Sequence, residues 1–455
     1  MRVLLTTYSE RTFLQAMVPL AWALRTAGHE VRFASQPELT DHITRAGLTA
    51  VPVGRNRGIW RLAELSPEQR EADREGLLLP YEAAADPGAA DWASLRAGYH
   101  DKTHGWHKLD NFPMIGGLVE FCRAWRPDLV LWEPTTYAAP IAAAACGAAH
   151  GRLLWSLDVF GATREVFLDL AARRPDPGAP ADDAELRAAA EKSGDPEVLE
   201  ALADPADPRR HPDPLAGWLT GFAAKYGVPF SEELITGQFT IDQLPDSVTM
   251  RAGLQYLPMQ YTPYGGVAVV PKWLWEAPKR PRVALTLGIT ATDRFSGYVV
   301  SVPAILEALA TLDVEVVATI AEAEQHRLGP LPPNVRVESW VPLQALVATC
   351  SAVVHHAGPG TLLTVARAGV PQLTVPWDFD EPELARRVGA QGAALVVHAS
   401  EATGERVRDG VRRLLDEPVH RQRAAALRDE LLAMPTPNQV AVQLEELAAK
   451  HRVAG

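Results

Sequence analysis

The stretch Val353-Val354-His355-His356-Ala357-Gly358-Pro359-Gly360-Thr361 joins an apolar run, two imidazoles and a small-residue loop to an alternating Leu/Ala/Val run that reads as a helix. Glycines let an anion approach the backbone, and the first N–H groups of a helix lack intrahelical partners, so this chemistry suits a phosphate. His356 at the lip adds a donor or a positive charge. Taken alone, the same residues also describe a strand-to-helix turn with a buried histidine. One helix length later Gly369-Val370-Pro371-Gln372-Leu373-Thr374-Val375-Pro376 gives another strand, and Trp377-Asp378-Phe379-Asp380-Glu381 adds three carboxylates. Glu133 in Trp132-Glu133-Pro134 and Asp158 in Leu154-Trp155-Ser156-Leu157-Asp158 end apolar runs, where a carboxylate serves either as a base facing a cleft or as a structural cap. His100, His104 and His107 are spaced to share a helix face, a further source of a base and, less plainly, of metal ligands. Asp378-Phe379-Asp380 also spells a metal-binding Asp-x-Asp, but its place after a Val-Pro strand argues against one, and no metal is expected.

These residues need a scaffold with strand ends in register. Val3 to Thr7, Glu30 to Ser35 and Leu48 to Val53 read as strands, with an amphipathic helix from Leu14 to Ala27 ended by Gly28. Leu129 to Trp132 and Gly151 to Trp155 continue that sheet. A second alternating unit begins at Arg282 to Gly288 and runs through helix Val302 to Thr311, strands Val314 to Ile320 and Val335 to Trp340, helix Leu343 to Thr349, and strands Ala352 to His356 and Gln372 to Pro376. Alternation of this kind predicts parallel, doubly wound α/β sheets, in which ligands bind beyond the carboxyl ends of the strands. The first turn lacks a Gly-x-Gly-x-x-Gly fingerprint, so no dinucleotide is expected in the first half. Residues 55 to 117 read as irregular loops and short helices over a cleft, and Arg173 to Pro214 as an exposed excursion with one short helix near Asp183 to Lys192. Gln255 to Pro271 connects the halves.

At 455 residues the chain is too long for one compact core and fits two domains. Its formal net charge of −12 argues against nucleic acid as the main partner while leaving room for a local cationic pocket. Cys122, Cys146 and Cys350 have no paired spacing and read as thiols of a reducing compartment. No apolar run suits a signal peptide or a membrane span, and a cytoplasmic protein is expected.

Together with Ser339-Trp340-Val341-Pro342-Leu343-Gln344, the loop and the Gly-Val-Pro strand resemble the nucleotide-sugar signature of family 1 glycosyltransferases of the GT-B fold. Val18-Pro19-Leu20-Ala21-Trp22-Ala23-Leu24, Arg126 to Pro134 and Val270-Pro271-Lys272-Trp273-Leu274 are most similar to the actinobacterial transferases that place dTDP-deoxysugars on polyketide antibiotics. The resemblance implies two Rossmann-like domains facing a cleft: an acceptor domain over 1–252, a nucleotide-sugar domain over 253–435, and a tail helix over 436–455 packed back on the first. It implies that Trp340 stacks on the base, that Val341 reads its edge, and that Thr290, His356, Gly358, Gly360 and Thr361 hold the diphosphate. Thr364 stands where relatives using uridine donors carry a ribose-binding Glu, which favours dTDP because a buried carboxylate facing a missing 2'-hydroxyl loses its partner. Asp380 and Glu381 match an Asp-Gln pair that holds sugar hydroxyls, and Glu for Gln suits a sugar with fewer hydroxyls or with an amino group.

The histidine base of most relatives falls at Phe13, which cannot take a proton. Asp158, Glu133 or His100 would then serve, or the acceptor is a phenol, amine or carbon nucleophile, or the chain binds donor without turnover. A nucleotide-sugar 2-epimerase on the same fold is a weaker reading. Phe13, Trp60, Tyr81, Trp106, Phe112 and Met114 are expected around a hydrophobic natural-product aglycone. Some members of the resembled group need a cytochrome P450-like activator, for which the apolar faces of Leu62 to Leu65 and Leu77 to Tyr81 would serve, and a homodimer is compatible with the resemblance.

Overall fold

The computed structural model describes residues 1–56, 74–193, 199, 202–203, 210–295 and 297–452. Thirteen strands are present among them: β1 (Arg2–Thr6), β2 (Glu30–Ser35), β3 (Ala50–Pro52), β4 (Leu129–Trp132), β5 (Ala149–Leu153), β6 (Thr240–Asp242), β7 (Tyr256–Pro258), β8 (Arg282–Thr286), β9 (Glu315–Thr319), β10 (Val335–Glu338), β11 (Ala352–His355), β12 (Gln372–Thr374) and β13 (Ala394–Val396). The first seven form one sheet in the order β3-β2-β1-β4-β5-β6-β7, and the rest a second in the order β10-β9-β8-β11-β12-β13. All pairings are parallel. Helices cover both faces, so central strands such as β4 and β8 are buried along their whole length and carry apolar runs instead of alternation. Because β7 pairs with β6, the first sheet extends to Pro258, beyond the expected boundary at 252.

β2 and β4 coincide with their expected runs, β10, β11 and β12 start as expected and end one or two residues early, and β1, β3, β5 and β9 are displaced by one or two residues at their starts. The short strands β6, β7 and β13 carry too few residues to show a pattern of their own. A larger departure is the region read as irregular up to 117. Trp92–Lys102, a π-helical turn Thr103–His107 and Lys108–Trp125 form a nearly continuous helix, opened by Asp91, whose side chain accepts from the Ser94 N–H at 3.0 Å. Its interior face buries Arg96, His100, His107, Asp110 and Asn111. Polar residues on the buried side erase the hydrophobic stripe by which a helix is recognised. Among the described residues of the excursion after Arg173, the expected helix is present as Asp183–Ser193.

The final helix, Pro437–His451, starts with a capping box between Thr436 and Gln439. Its Val440, Ala441, Leu444 and Ala448 are buried in one cluster with Val3, Leu5, Leu14 and Val18, so the tail of the chain closes the back of the first domain. The two domains share a further apolar cluster in which Phe160, Leu244 and Met250 meet Leu362, Leu363, Leu384 and Leu427. Leu444→Ala removes a fully buried side chain at the docked tail and is expected to lower stability by about 2–5 kcal/mol. A denaturant titration by circular dichroism checks this, and an unchanged midpoint would mean that the tail is not docked in solution.

Candidate active site

Between the domains lies a cavity of about 1230 Å³, walled on one side by loops after β8, β10, β11 and β12 and on the other by loops after β1 and β5. In the second domain the wall is organised by a pair of histidines with different tasks. His355 is wholly buried; its Nδ1 accepts from the Ala357 N–H at 3.1 Å and its Nε2 lies 2.7 Å from Gln372 Oε1, which assigns the proton to Nε2. Burial pushes its pKa down to about 3, so it stays neutral and pins the loop, where Ala357 adopts φ +76°. His356 turns toward the cavity. A Cβ on Gly358 would lie 2.2 Å from its Nε2, and one on Gly288 would lie 2.6 Å from its Cε1, so these two glycines are what leave room for the ring.

The helix Pro359–Ala368 opens directly after Gly358 and presents its first turn to the cavity. Thr364 Oγ1 donates to the Gly360 carbonyl at 2.6 Å, and the Tyr261 hydroxyl donates to the same oxygen at 3.0 Å. Both hydroxyls are thereby tied to the backbone in the first turn of that helix. Thr290, Trp340, Val341, Gly358, Gly360 and Thr361 all line this wall. β10 ends at Glu338, which leaves Trp340 in the following loop with 48% of its surface exposed, a large indole not used by the core.

The acidic loop is braced against the first domain. Arg74 donates to Asp378 at 2.8 Å and lies over the Phe295 ring at 4.2 Å. Asp380, pushed up to about 6 by burial, accepts from the Ser156 hydroxyl. Glu381 Oε2 accepts from the Trp377 and Asp378 N–H groups at 3.3 and 3.0 Å, while Oε1 lies 3.7 Å from His356 Nε2. Burial and the neighbouring Asp378 and Asp380 raise the Glu381 pKa well above the carboxylate range. One of its oxygens therefore holds the loop together rather than facing the cavity freely. Asp378 and Asp380 are committed to different partners, and among the described residues no cluster of three His, Cys, Asp or Glu side chains could hold a metal ion.

The opposite wall is aromatic. Phe13 stacks on Trp155 at 4.9 Å and meets the edge of Tyr8 at 5.5 Å. Tyr81, Trp106, Phe160 and Phe379 form a second group, with the Tyr81 hydroxyl 2.5 Å from His107 Nε2. Thr12 and Gln15 add polar edges beside Phe13.

Several expected site residues lie elsewhere. Asp158 is fully buried, gripped by Arg152 through both carboxylate oxygens at 3.0 and 2.6 Å, bonded by Tyr256 at 2.7 Å, and caps the helix Val159–Ala172 through the Gly161 N–H. It is a structural carboxylate and does not face the cavity. His100 is buried beside His104, with ring centroids 4.5 Å apart, and neither lines the cavity. Phe112 is 52% exposed and packs on Phe222, whereas Met114 is wholly in the core of the first domain. Both miss the cavity because the helix Lys108–Trp125 turns them to its other faces. Glu133 sits behind the aromatic wall, not on it. On the Leu77 to Tyr81 face, Leu77 is partly buried against the interdomain cluster, Leu78 lines the cavity and Tyr81 is buried. Trp60 and Leu62 to Leu65 lie outside the described residues.

The cavity also gathers residues with little signal in sequence. Trp155 follows a strand and could have been found as a strand-end residue, as could Tyr8 after β1. Arg74 and Tyr261 come from segments without periodicity.

A pair of Rossmann-like domains facing each other across a cavity is the architecture of the GT-B fold. Residues 22–191 and 197–288 match the N-terminal domain, and 303–447 the C-terminal domain, described as erythromycin biosynthesis protein CIII-like. The chain belongs to that family. It is 42% identical to the 10-deoxymethynolide desosaminyltransferase of Streptomyces venezuelae, covering 99% of this chain and 98% of that protein. Identity to the aklavinone 7-beta-L-rhodosaminyltransferase of Streptomyces galilaeus is 43%, over 99% and 97% of the two. Among solved structures, glycosyltransferase VinC in complex with dTDP superposes with a TM-score of 0.80 at 37% identity, covering 99% of this chain and 100% of that one. No helix among the described residues is long and apolar enough to cross a membrane.

Asp158→Ala leaves the Arg152 guanidinium buried without its partner and is expected to cost about 3–5 kcal/mol. Thermal and denaturant unfolding measure the loss. A normal midpoint combined with abolished turnover would return Asp158 to the list of candidate bases.

Proposed function

We propose that this glycosyltransferase is inverting and metal-independent, moving a deoxysugar from a dTDP-sugar to a polyketide-like aglycone. The observation that carries the reading is one continuous cavity with an anion-binding helix start and an exposed indole on one wall and stacked aromatic rings on the other. Its volume, about 1230 Å³, exceeds what a single small ligand usually needs, in keeping with two substrates held together. The relatives named for desosaminyl and rhodosaminyl transfer and the dTDP complex of a similar structure point the same way.

In this reading Trp340 stacks on thymine and the Val341 backbone reads its edge. The N–H groups of Gly358, Gly360 and Thr361, with Thr290, receive the diphosphate at the positive end of the helix. Burial lowers the pKa of His356, so it contributes as a hydrogen-bond donor more than as a charge. Thr364 and Tyr261 supply only hydroxyls beside the ribose, and these already serve Gly360, so nothing there rewards a 2'-hydroxyl. Asp380 faces the sugar, with Ser156 setting its orientation. The aglycone lies against Phe13, Tyr81 and Trp106, where apolar area and ring faces favour a flat or macrocyclic body.

Incubation with a panel of dTDP-deoxysugars and aglycones, with and without a cytochrome P450-like activator, is read by mass for glycoside. Tight dTDP binding without turnover under every combination would favour a donor-binding auxiliary instead. Trp340→Ala is expected to remove about 1–3 kcal/mol of stacking, raising the donor KM roughly 5- to 150-fold while kcat changes less. UDP competing with donor as well as dTDP does would remove the ribose argument.

A further inference from the structure

In the core of the first domain two thiols meet that the sequence keeps apart. Cys122 lies near the carboxyl end of the helix Lys108–Trp125, and Cys146 just beyond the carboxyl end of the helix Ala138–Ala144. Arg126 at φ +53° caps the first helix, Gly147 at φ +73° turns the chain after the second, and the two helices pack on each other. Their sulfurs are in contact within one apolar cluster, Cys122 wholly buried and Cys146 half-buried at its edge. Cys146 Sγ also donates to the Ala143 carbonyl at 3.3 Å. The third cysteine, Cys350, belongs to the second domain, where its thiol donates to the Leu346 carbonyl at 3.2 Å.

We infer that Cys122 and Cys146 form a thiol–disulfide modification site, with Cys146 the thiol open to a small disulfide from solvent and Cys122 the buried thiol that resolves the adduct. As a thiolate, Cys146 attacks one sulfur of the small disulfide, whose S–S bond breaks, and one small thiolate leaves with the electron pair. Cys122 then gives its proton to that departed thiolate, its sulfur attacks the Cys146 sulfur, and the second small thiolate leaves. Two protein thiols lose two electrons between them, and one small disulfide is reduced to two small thiols. The new bond would tie the turn before β5 to a helix whose other end carries Leu109 on the cavity wall.

The surroundings divide the two roles. The carboxyl end of a helix disfavours an anion, and burial does the same. At Cys146 both are outweighed: the Cys122 thiol and the Ala148 N–H are directed at its sulfur, the guanidiniums of Arg123 and Arg452 stand nearby, and its pKa comes down to about 7. Asp128, the carboxylate paired with Arg452, offsets part of that positive charge. Cys122 is pushed far up, first by the adjoining Cys146 sulfur and then by burial. A sulfur held in a disulfide carries no negative charge, so capping Cys146 removes the first of these causes. Cys122 therefore ionises more readily once a disulfide stands beside it. Burial raises the Cys350 thiol to about 12, which makes it an internal reference for an unactivated cysteine.

The test incubates the folded full-length chain with glutathione disulfide near neutral pH, alkylates the remaining thiols in denaturant, and reads the digest by mass. Expected is a linked pair of peptides holding Cys122 and Cys146, separated by a reductant, with Cys350 alkylated. Cys122→Ala should stop at a glutathione adduct on Cys146, and Cys146→Ala should take up glutathione at least about tenfold more slowly than the wild-type chain. Alkylation of Cys146 in the reduced protein should quicken about tenfold per pH unit up to about 7 and level off above it. If Cys122→Ala fails to fold, the linked peptides of the wild-type chain still decide the matter. A wild-type chain that keeps glutathione on Cys146 and never forms the linked pair overturns the resolving role of Cys122. Glutathione on Cys350 as fast as on Cys146, or no modification of any thiol, overturns the site.

Discussion

The site depends on the acidic loop after β12 being held against the first domain. Arg74 grips Asp378, Ser156 bonds Asp380, and the backbones of Gly76 and Phe379 exchange hydrogen bonds with Trp377 and Arg74. Such a paired charge adds little net stability, because desolvating both ions offsets most of their attraction. What it adds is register. Apolar contacts between Phe160 or Met250 and Leu362 or Leu384 attract the domains without fixing their alignment, whereas a guanidinium seated on one carboxylate permits little sliding. The start of the helix Pro359–Ala368 and the aromatic wall face each other across a defined gap as a result.

Burial then sets the chemistry of each wall. A low-dielectric surrounding disfavours charge, so His355 and His107 stay neutral while Asp380, Glu381 and Glu133 hold their protons longer than free carboxylates do. Neutral imidazoles are useful where loops must be pinned by directional bonds. Raised carboxylates are useful where a proton must be taken near neutral pH. The two glycines beside His356 serve the same economy of space, since any side chain at Gly358 would occupy the volume of the ring that faces the cavity.

Much of the fold was legible because buried parallel strands announce themselves. β2 and β4 coincide with their apolar runs, and the Gly-rich turn before Pro359 has few interpretations once a strand precedes it and a helix follows. Positions at strand ends were correspondingly readable: Thr290, Trp340, Val341, His356, Gly358, Gly360, Thr361, Thr364, Asp380 and Glu381 all border the one cavity. The helix from Trp92 to Trp125 was not readable, since its buried face is polar. Nor was the direction of its side chains, so Phe112 and Met114 stood with Trp106 in the sequence but point away from it in space.

What the sequence by itself determined is the order of the longer strands with the helices between them and the identity of the loops at their carboxyl ends, because periodicity and small-residue turns are local properties. Which carboxylate does what was decided only by tertiary structure. Asp158 and Glu133 follow neighbouring strands and look alike in one dimension. Packing gives Asp158 an arginine and a helix to cap, and gives Glu133 two threonines. The difference arises because burial and the direction in which neighbouring side chains point are set by packing, which also brings the distant Tyr256 onto Asp158, and spacing along the chain does not record them.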